Sequence, residues 1–329
     1  MNEGLALITG LIVAFVTTFL VIPGIIKKAK ERNFVGRDVH KTKRVFVAEL
    51  GGIPIVLGFC VGVFSAIAVL GLNDGHLDLV SLFAAISSIL LVFVVGIMDD
   101  LFWIKWRTKI FLPLIASVPL IAVKVGNPVM NIPYLGPVNL GWFYLLVLIP
   151  LAVTGATNAM NMIGGYNGSE AGLGLLMMLT LLIIAVDSGH WVAGILLIAM
   201  IGALLAFLYF NWYPAKIFMG DSGTLQMGAV IASAVIIGNM EKYGLFLFFW
   251  YFVNLAIFAW GLARGAKLVK FASPGKDGKL IAPKTFWKHY LPFTIIHFTH
   301  PTEKQLVCYL LLMQLAVSVG VLALYFTGF

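Results

Sequence analysis

The chain has 329 residues, of which 61% are hydrophobic and only 11% charged, and it carries a formal net charge of +8. Soluble domains carry roughly a quarter charged residues, so an ordinary water-soluble domain, a disordered chain and a collagen-like chain are excluded. The two cysteines, Cys60 and Cys308, stand alone in apolar stretches, which excludes a disulfide framework or a zinc site, and in a membrane protein the positive excess reports orientation and calls for no nucleic acid.

Apolar stretches predict transmembrane helices at about residues 4–26, 50–70, 79–98, 110–123, 140–157, 171–186, 190–210, 222–240, 243–263 and 305–328. The fold class expected is therefore an all-α integral membrane protein, one polytopic domain over 1–329 with about ten spans. The fourth stretch is the shortest, bounded by Lys109 and Lys124. Eight Lys and Arg fall in 27–44, three in 105–109, one at Lys216 and eight in 264–304, whereas only Lys124 and Lys242 occupy the intervening loops. That asymmetry predicts cytosolic loops at about 27–49, 99–109, 158–170, 211–221 and 264–304, both termini outside, in the cell membrane. The last of these loops holds apolar patches, Phe286–Trp287 and Tyr290–Phe293, and reads as one or two interfacial elements.

No Asp, Glu, Lys or Arg falls in the middle of a predicted span, which disfavours an ion-coupled transporter and favours chemistry at the cytosolic interface. Asp99 and Asp100 end the third span. Adjacent carboxylates at a helix C-terminus repel each other and the helix dipole, so they call for a cation or hydrogen-bond donors nearby; otherwise they are two solvated acids. Asn158 and Asn161 recur at i, i+3 before the glycine-rich turn that carries Asn167 and Glu170. Their amides can ligate a hard cation or contact a phosphate or a base. Asp221 opens the eighth span as an N-cap or a magnesium ligand, and Phe218 before it is an interfacial anchor or a stacking surface. His297, His300 and Lys304 precede the last span, where they are either loop residues or contacts to phosphate or sugar.

Together these segments resemble the polyprenyl-phosphate N-acetylhexosamine-1-phosphate transferase superfamily, glycosyltransferase family 4. The likeness is nearer to the dolichyl-phosphate GlcNAc-1-phosphotransferases than to the bacterial phospho-MurNAc-pentapeptide translocases. It rests on Gly36-Arg37-Asp38-Val39-His40-Lys41-Thr42 with Glu49-Leu50-Gly51-Gly52, on Asp99-Asp100 with Lys109, on Asn158, Asn161 and Asn167-Gly168 through Gly172, and on Asn211-Trp212-Tyr213-Pro214 through Gly220-Asp221. The resemblance implies transfer of GlcNAc-1-phosphate from UDP-GlcNAc to a polyprenyl or dolichyl phosphate in the lipid bilayer, releasing UMP. It also implies Mg2+, or Mn2+ in its place, at Asn161 and Asp221, and catalytic roles for Asp99, Asp100, Lys109 and Asp221. Glu49, Asn158, Asn167 and Phe218 would surround the nucleotide, and His297, His300 and Lys304 are candidates for the sugar diphosphate. The arginine-rich sugar loop of the eukaryotic relatives is not recognisable in 265–304. Compact loops favour GlcNAc over a peptide-bearing donor. Another UDP-N-acetylhexosamine, undecaprenyl phosphate as acceptor, and a homodimer stay open, and the rival from another class is a multi-pass lipid or solute transporter.

Overall fold

A computed structural model describes residues 2–72, 77–132, 136–266, 269, 271–284 and 287–328. Long apolar runs form helices because a bilayer leaves backbone N–H and C=O groups no other partners. In chain order these are α1 (Asn2–Glu31), α2 (Gly52–Leu72), α3 (Leu79–Phe102), α4 (Trp106–Ala116), α5 (Val118–Val123), α6 (Gly141–Met160), α7 (Ser169–Asp187), α8 (Trp191–Asn211), α9 (Gly220–Ile237), α10 (Glu241–Leu247), α11 (Phe249–Ala263), α12 (Leu291–Thr299) and α13 (Glu303–Phe326).

Among the described residues eight helices are long and apolar enough to cross a membrane, or nine if α10 and α11 form one bent span. About ten were expected. The stretch at 110–123 accounts for the difference: its apolar helical run, Thr108–Val123, extends only about 24 Å at 1.5 Å per residue, against roughly 30 Å of hydrocarbon. It is also interrupted. Ser117 turns its N–H to the carbonyls of Pro113 and Leu114 at 3.2 and 3.3 Å, Pro119 offers no donor to continue the ladder, and Ser88 of α3 donates to the Ala116 carbonyl at 2.6 Å. The α10–α11 pair bends by 56°, and there Gln314 of α13 donates to the Leu247 carbonyl at 3.1 Å.

Small residues set the tightest seams. Ala6, Gly10, Ala14, Thr18 and Ile22 recur every fourth position on α1 and are buried. They face Gly58, Gly62 and Ala66 of α2 so closely that a Cβ on Gly62 would lie 2.8 Å from the Gly10 carbonyl oxygen. The central helices are α8 and α9, and α9 packs against α2, α3, α6 and α8. Gly96 admits the start of α9, since a Cβ there would sit 2.5 Å from Ser222 Cα.

The connections meet one another. β1 (Val35–Arg37) pairs antiparallel with β2 (Phe46–Ala48), and Ala48 bridges to Ile217 in the α8–α9 loop. A second hairpin, β3 (Val129–Ile132) with β4 (Gly136–Asn139), follows α5, and a short one, β5 (Ser273–Pro274) with β6 (Leu280–Ile281), precedes α12. Leu280 N–H donates to the Pro301 carbonyl at 2.8 Å, and the Tyr290 hydroxyl donates to the Met162 carbonyl at 2.8 Å. The expected patch at Tyr290–Phe293 opens α12, whose Leu291, Phe293 and Ile296 are buried; Phe286 lies outside the described residues. Contacts thus join 27–49 to 211–221 and 158–170 to 264–304, and Asn167–Asp38 and Asp221–Asp100 bonds link these pairs to each other and to 99–109.

Replacing Gly62 by Val is expected to pry α2 from α1 and lower stability by about 1–3 kcal/mol. Thermal unfolding in detergent micelles measures this, and an unchanged midpoint would mean the seam is slack.

Candidate active site

Two acids at the C-terminal end of α3 are tolerable because different elements answer each. Asp100 lies against the N-terminus of α9. Its Oδ1 accepts from Asp221 N–H at 2.7 Å, while Oδ2 accepts from Ser222 N–H at 3.1 Å and from the Ser222 hydroxyl at 2.6 Å. Those N–H groups are among the donors a helix start leaves unpaired, and the dipole there favours a negative charge. The N-cap of α9 is therefore supplied by α3, and Asp221, one of its two sequence readings set aside, does not cap its own helix. Gly220 permits the approach: its φ is +71°, and a Cβ would lie 2.6 Å from Asp100 Oδ2.

Asp99 is answered by Lys109, whose Nζ donates to its Oδ2 at 3.0 Å and also pairs with the Asp221 carboxylate. One ammonium thus bridges the ends of α3 and α9 from α4. Asn161 joins this group through Thr224, whose hydroxyl donates to Asn161 Oδ1 at 3.3 Å and sits 3.4 Å from the Asp221 carbonyl oxygen. Asn158 donates to the Thr154 carbonyl at 2.8 Å and to that of Ile110, next to Lys109, at 3.4 Å. Burial raises the Glu49 carboxyl above the usual range, and the nearby charge of Asp100 adds to the effect. Phe218 is held between two backbone bonds, its N–H to the Ala48 carbonyl at 2.8 Å and its carbonyl from Gly51 N–H at 3.0 Å.

A second polar group lies beside the first. Asp38, His40 and Glu303 are buried, and their ligand atoms fall within 4.8 Å of one another, close enough to share a metal ion. The Lys41 ammonium, however, lies 3.1 Å from Asp38 Oδ2 and pairs with Glu303, so the trio already has a cation. Asn167 belongs here: its N–H donates to Glu303 Oε1 at 2.9 Å and its side-chain amide to Asp38 Oδ2 at 3.1 Å. Lys304 is exposed, with Nζ 4.8 Å from the centre of the Tyr213 ring, over which Lys41 also sits at 4.0 Å.

The structure therefore brings together Asp99, Asp100, Lys109, Asp221 and Asn161, with Asn158, Glu49 and Phe218 at the margin. Asn167 and Lys304 fall in the second group. His297 packs edge-on to Phe298, and His300 ends α12 in a left-handed turn with φ +45° and is exposed. Sequence reasoning did not single out Ser222, Thr224, Asn211, Asp38, Lys41 or Glu303. Asp38, Lys41 and Asn211 stood inside quoted motifs, but nothing local marks which of several loop polar groups becomes buried. Glu303 had only one signal, an acid opening a span.

A helical bundle with acids, amides and a lysine converging at one end presents hard oxygen donors beside an ammonium, a set that suits a cation and a phosphate. Residues 82–239 match the family model described as Glycosyl transferase family 4. A Saccharolobus solfataricus protein, provisionally named a UDP-N-acetylglucosamine–dolichyl-phosphate N-acetylglucosaminephosphotransferase, is 36% identical over 84% of this chain and 84% of its own. A protein of the same name from Sulfolobus acidocaldarius is 38% identical over 82% and 83%. A Clostridium botulinum phospho-N-acetylmuramoyl-pentapeptide-transferase is 29% identical over 72% and 75%. The chain belongs to glycosyl transferase family 4.

His40 stacks on Tyr166 with ring centroids 4.6 Å apart, and its Nε2 is buried without a hydrogen-bond partner among the described residues. Burial, opposed by the Asp38 charge, pushes its pKa down to about 4. An unfolded chain takes up this proton below about 6.5, whereas the folded protein resists until about 4. This residue's contribution to stability is therefore present above 6.5 and is lost as pH falls through that window. Wild type is expected to lose up to about 3 kcal/mol more than His40→Asn between pH 6.5 and 4. Parallel melting curves from the two proteins would refute this.

Proposed function

We propose that this protein transfers N-acetylglucosamine-1-phosphate from UDP-GlcNAc to a dolichyl-type polyprenyl phosphate, giving a lipid-diphosphate sugar and UMP. The observation that carries this reading is the convergence of Asp99, Asp100, Lys109 and Asp221 from three helices in a chain of this family, whose relatives include proteins named for that transfer. A lipid phosphate oxygen attacks the β-phosphorus, and the bond from that phosphorus to the oxygen of UMP breaks. Phosphoryl transfer needs mainly positioning and charge neutralisation. A phosphate monoester with a second pKa near ~6 is largely dianionic at neutral pH, so no strong base is needed.

Each residue then has a role. Lys109 turns from the Asp221 carboxylate to bind phosphate oxygens. Asp99, which has no proton to offer a dianion, keeps hold of that ammonium and through it orients the incoming lipid phosphate. Asp100 is saturated by the α9 N-terminus and holds Asp221 in place. Asp221 and Asn161 offer hard oxygen donors, a set that suits magnesium or manganese and not a soft metal. An ion held there would supply positive charge to the diphosphate. Glu49, Phe218, Asn158 and Asn167 form the nucleotide side, and His297, His300 and Lys304 the sugar side. The chain acts as one membrane domain, with the site in the cytosol and both termini outside. This needs an even number of crossings, so the short run Thr108–Val123, which leads from Lys109 at the site to Gly126 beside Ile236 at the far end of α9, is counted with the eight long helices and the bent α10–α11 pair. Support for that orientation comes from the concentration of Lys and Arg in the segments that meet at the site.

The test is UMP release by purified protein given UDP-GlcNAc, a short polyprenyl phosphate and magnesium. Release is expected to require both the metal and the lipid. Transport across liposomes without UMP release would favour the transporter instead. Asp221→Asn is expected to lower turnover at least a hundredfold, about 2.7 kcal/mol, with normal membrane insertion. Lys109→Ala is expected to do likewise, and a loss under tenfold would remove that lysine from the reaction.

A further inference from the structure

Asn167 carries an amide, and which end of an amide faces a ligand decides whether it donates or accepts. Here the question is settled by chemistry. The Asp38 carboxylate can only accept from it, so the side-chain NH2 of Asn167 must be the group 3.1 Å from Asp38 Oδ2. Asp38 is itself fixed. Its N–H donates to the Val45 carbonyl at 2.9 Å, its Oδ1 accepts from His40 N–H at 3.3 Å, and its Oδ2 lies 3.1 Å from the Lys41 ammonium. Glu303 pins the Asn167 backbone N–H at 2.9 Å. Asp38, Asn167 and Glu303 are 3%, 4% and 4% exposed, so water offers little alternative and a flipped amide would set its oxygen against a carboxylate.

The same network ties Asn167 to Phe218. Gly168 N–H donates to Asn211 Oδ1 at 3.1 Å, and Asn211 Nδ2 donates to the Ile217 carbonyl at 2.8 Å, immediately before Phe218. From the other side, Asp38 follows Gly36 by two residues, and a Cβ on Gly36 would lie 3.4 Å from the Phe218 ring. A flat aromatic face and an amide with imposed polarity are thus locked to one frame.

We propose that Asp38 is a positioning residue for base selection: by holding the NH2 of Asn167, it obliges that side chain to present its carbonyl oxygen to a nucleobase, and so selects a pyrimidine bearing an imide N3–H, uracil, over cytosine, whose N3 is an acceptor. This rests on the reading of the protein as a UDP-sugar transferase with Asn167 on the nucleotide side.

Binding of UMP, CMP and 3-methyl-UMP to the full chain in detergent with magnesium tests it, read by titration calorimetry. Wild type is expected to bind UMP at least tenfold more tightly than either CMP or 3-methyl-UMP, which lacks the N3 hydrogen. In Asp38→Asn the amide at 167 can rotate, and the UMP-to-CMP preference is expected to shrink to within about threefold. Glu303→Gln alters the charge of the same cluster by one unit but leaves Asp38 in place, and the preference is expected to persist. A merely structural role for Asp38 would weaken UMP and CMP alike and keep their ratio. Equal binding of UMP and 3-methyl-UMP by wild type would overturn the proposal even if Asp38→Asn fails to fold, as would an unchanged ratio in a folded Asp38→Asn. UMP release from UDP-GlcNAc alongside either result would leave the transferase reading standing, whereas no nucleotide binding and no UMP release would overturn both.

Discussion

The α9 N-terminus can sit where it does only because a carboxylate from another helix receives it. Asp100 accepts three donors from Asp221 and Ser222, and charge-assisted bonds of this kind are worth about 1.5–3 kcal/mol each when their partners would otherwise be buried unpaired. Gly220 and Gly96 give the backbone room. Because α9 packs on α2, α3, α6 and α8, anchoring its first turn sets where Asp221 and Thr224 stand relative to Asn161 at the end of α6. It also decides which of the two adjacent acids stays available, since Asp99 is left with Lys109.

Lys109 and Lys41 solve one electrostatic problem in two places. Each ammonium lies between carboxylates from separate elements, Asp99 and Asp221 in one case, Asp38 and Glu303 in the other. Attraction between such ions repays their removal from water only when the remaining polar atoms are also bonded. The Lys41 group meets that condition with Asn167 and the His40 N–H, and it is the more deeply buried, as befits a scaffold. The Lys109 group leaves Asp221 about a quarter exposed, so an anion from solvent has a way to compete for the lysine. A closed ion network and a more open one thus stand side by side, separated by solvent access.

Much of this was legible from residue order. Long apolar runs gave away the helices, and the grouping of Lys and Arg separated the connecting segments into two sets. The motifs around Asp99, Asn161 and Asp221 marked the residues that now lie together. Where the reading missed, the cause is physical. Hydropathy cannot see that residues 110–123 break at Ser117, because Ser88 of a different helix satisfies the freed carbonyl. Nor can it see the bend at Phe248, which Gln314 stabilises from α13.

Residue types and spacing alone determined that the chain lies in a membrane, that its acids gather at span ends, and which family it resembles, because these follow from transfer of side chains between water and hydrocarbon and from local order. Only the tertiary structure decided which acid caps α9, which lysine neutralises which carboxylate, and that Asn167 answers to Asp38. Those pairings join residues tens to hundreds of positions apart. They depend on the angle at which helices pack and on a few glycines that let backbones approach, neither of which a linear pattern records.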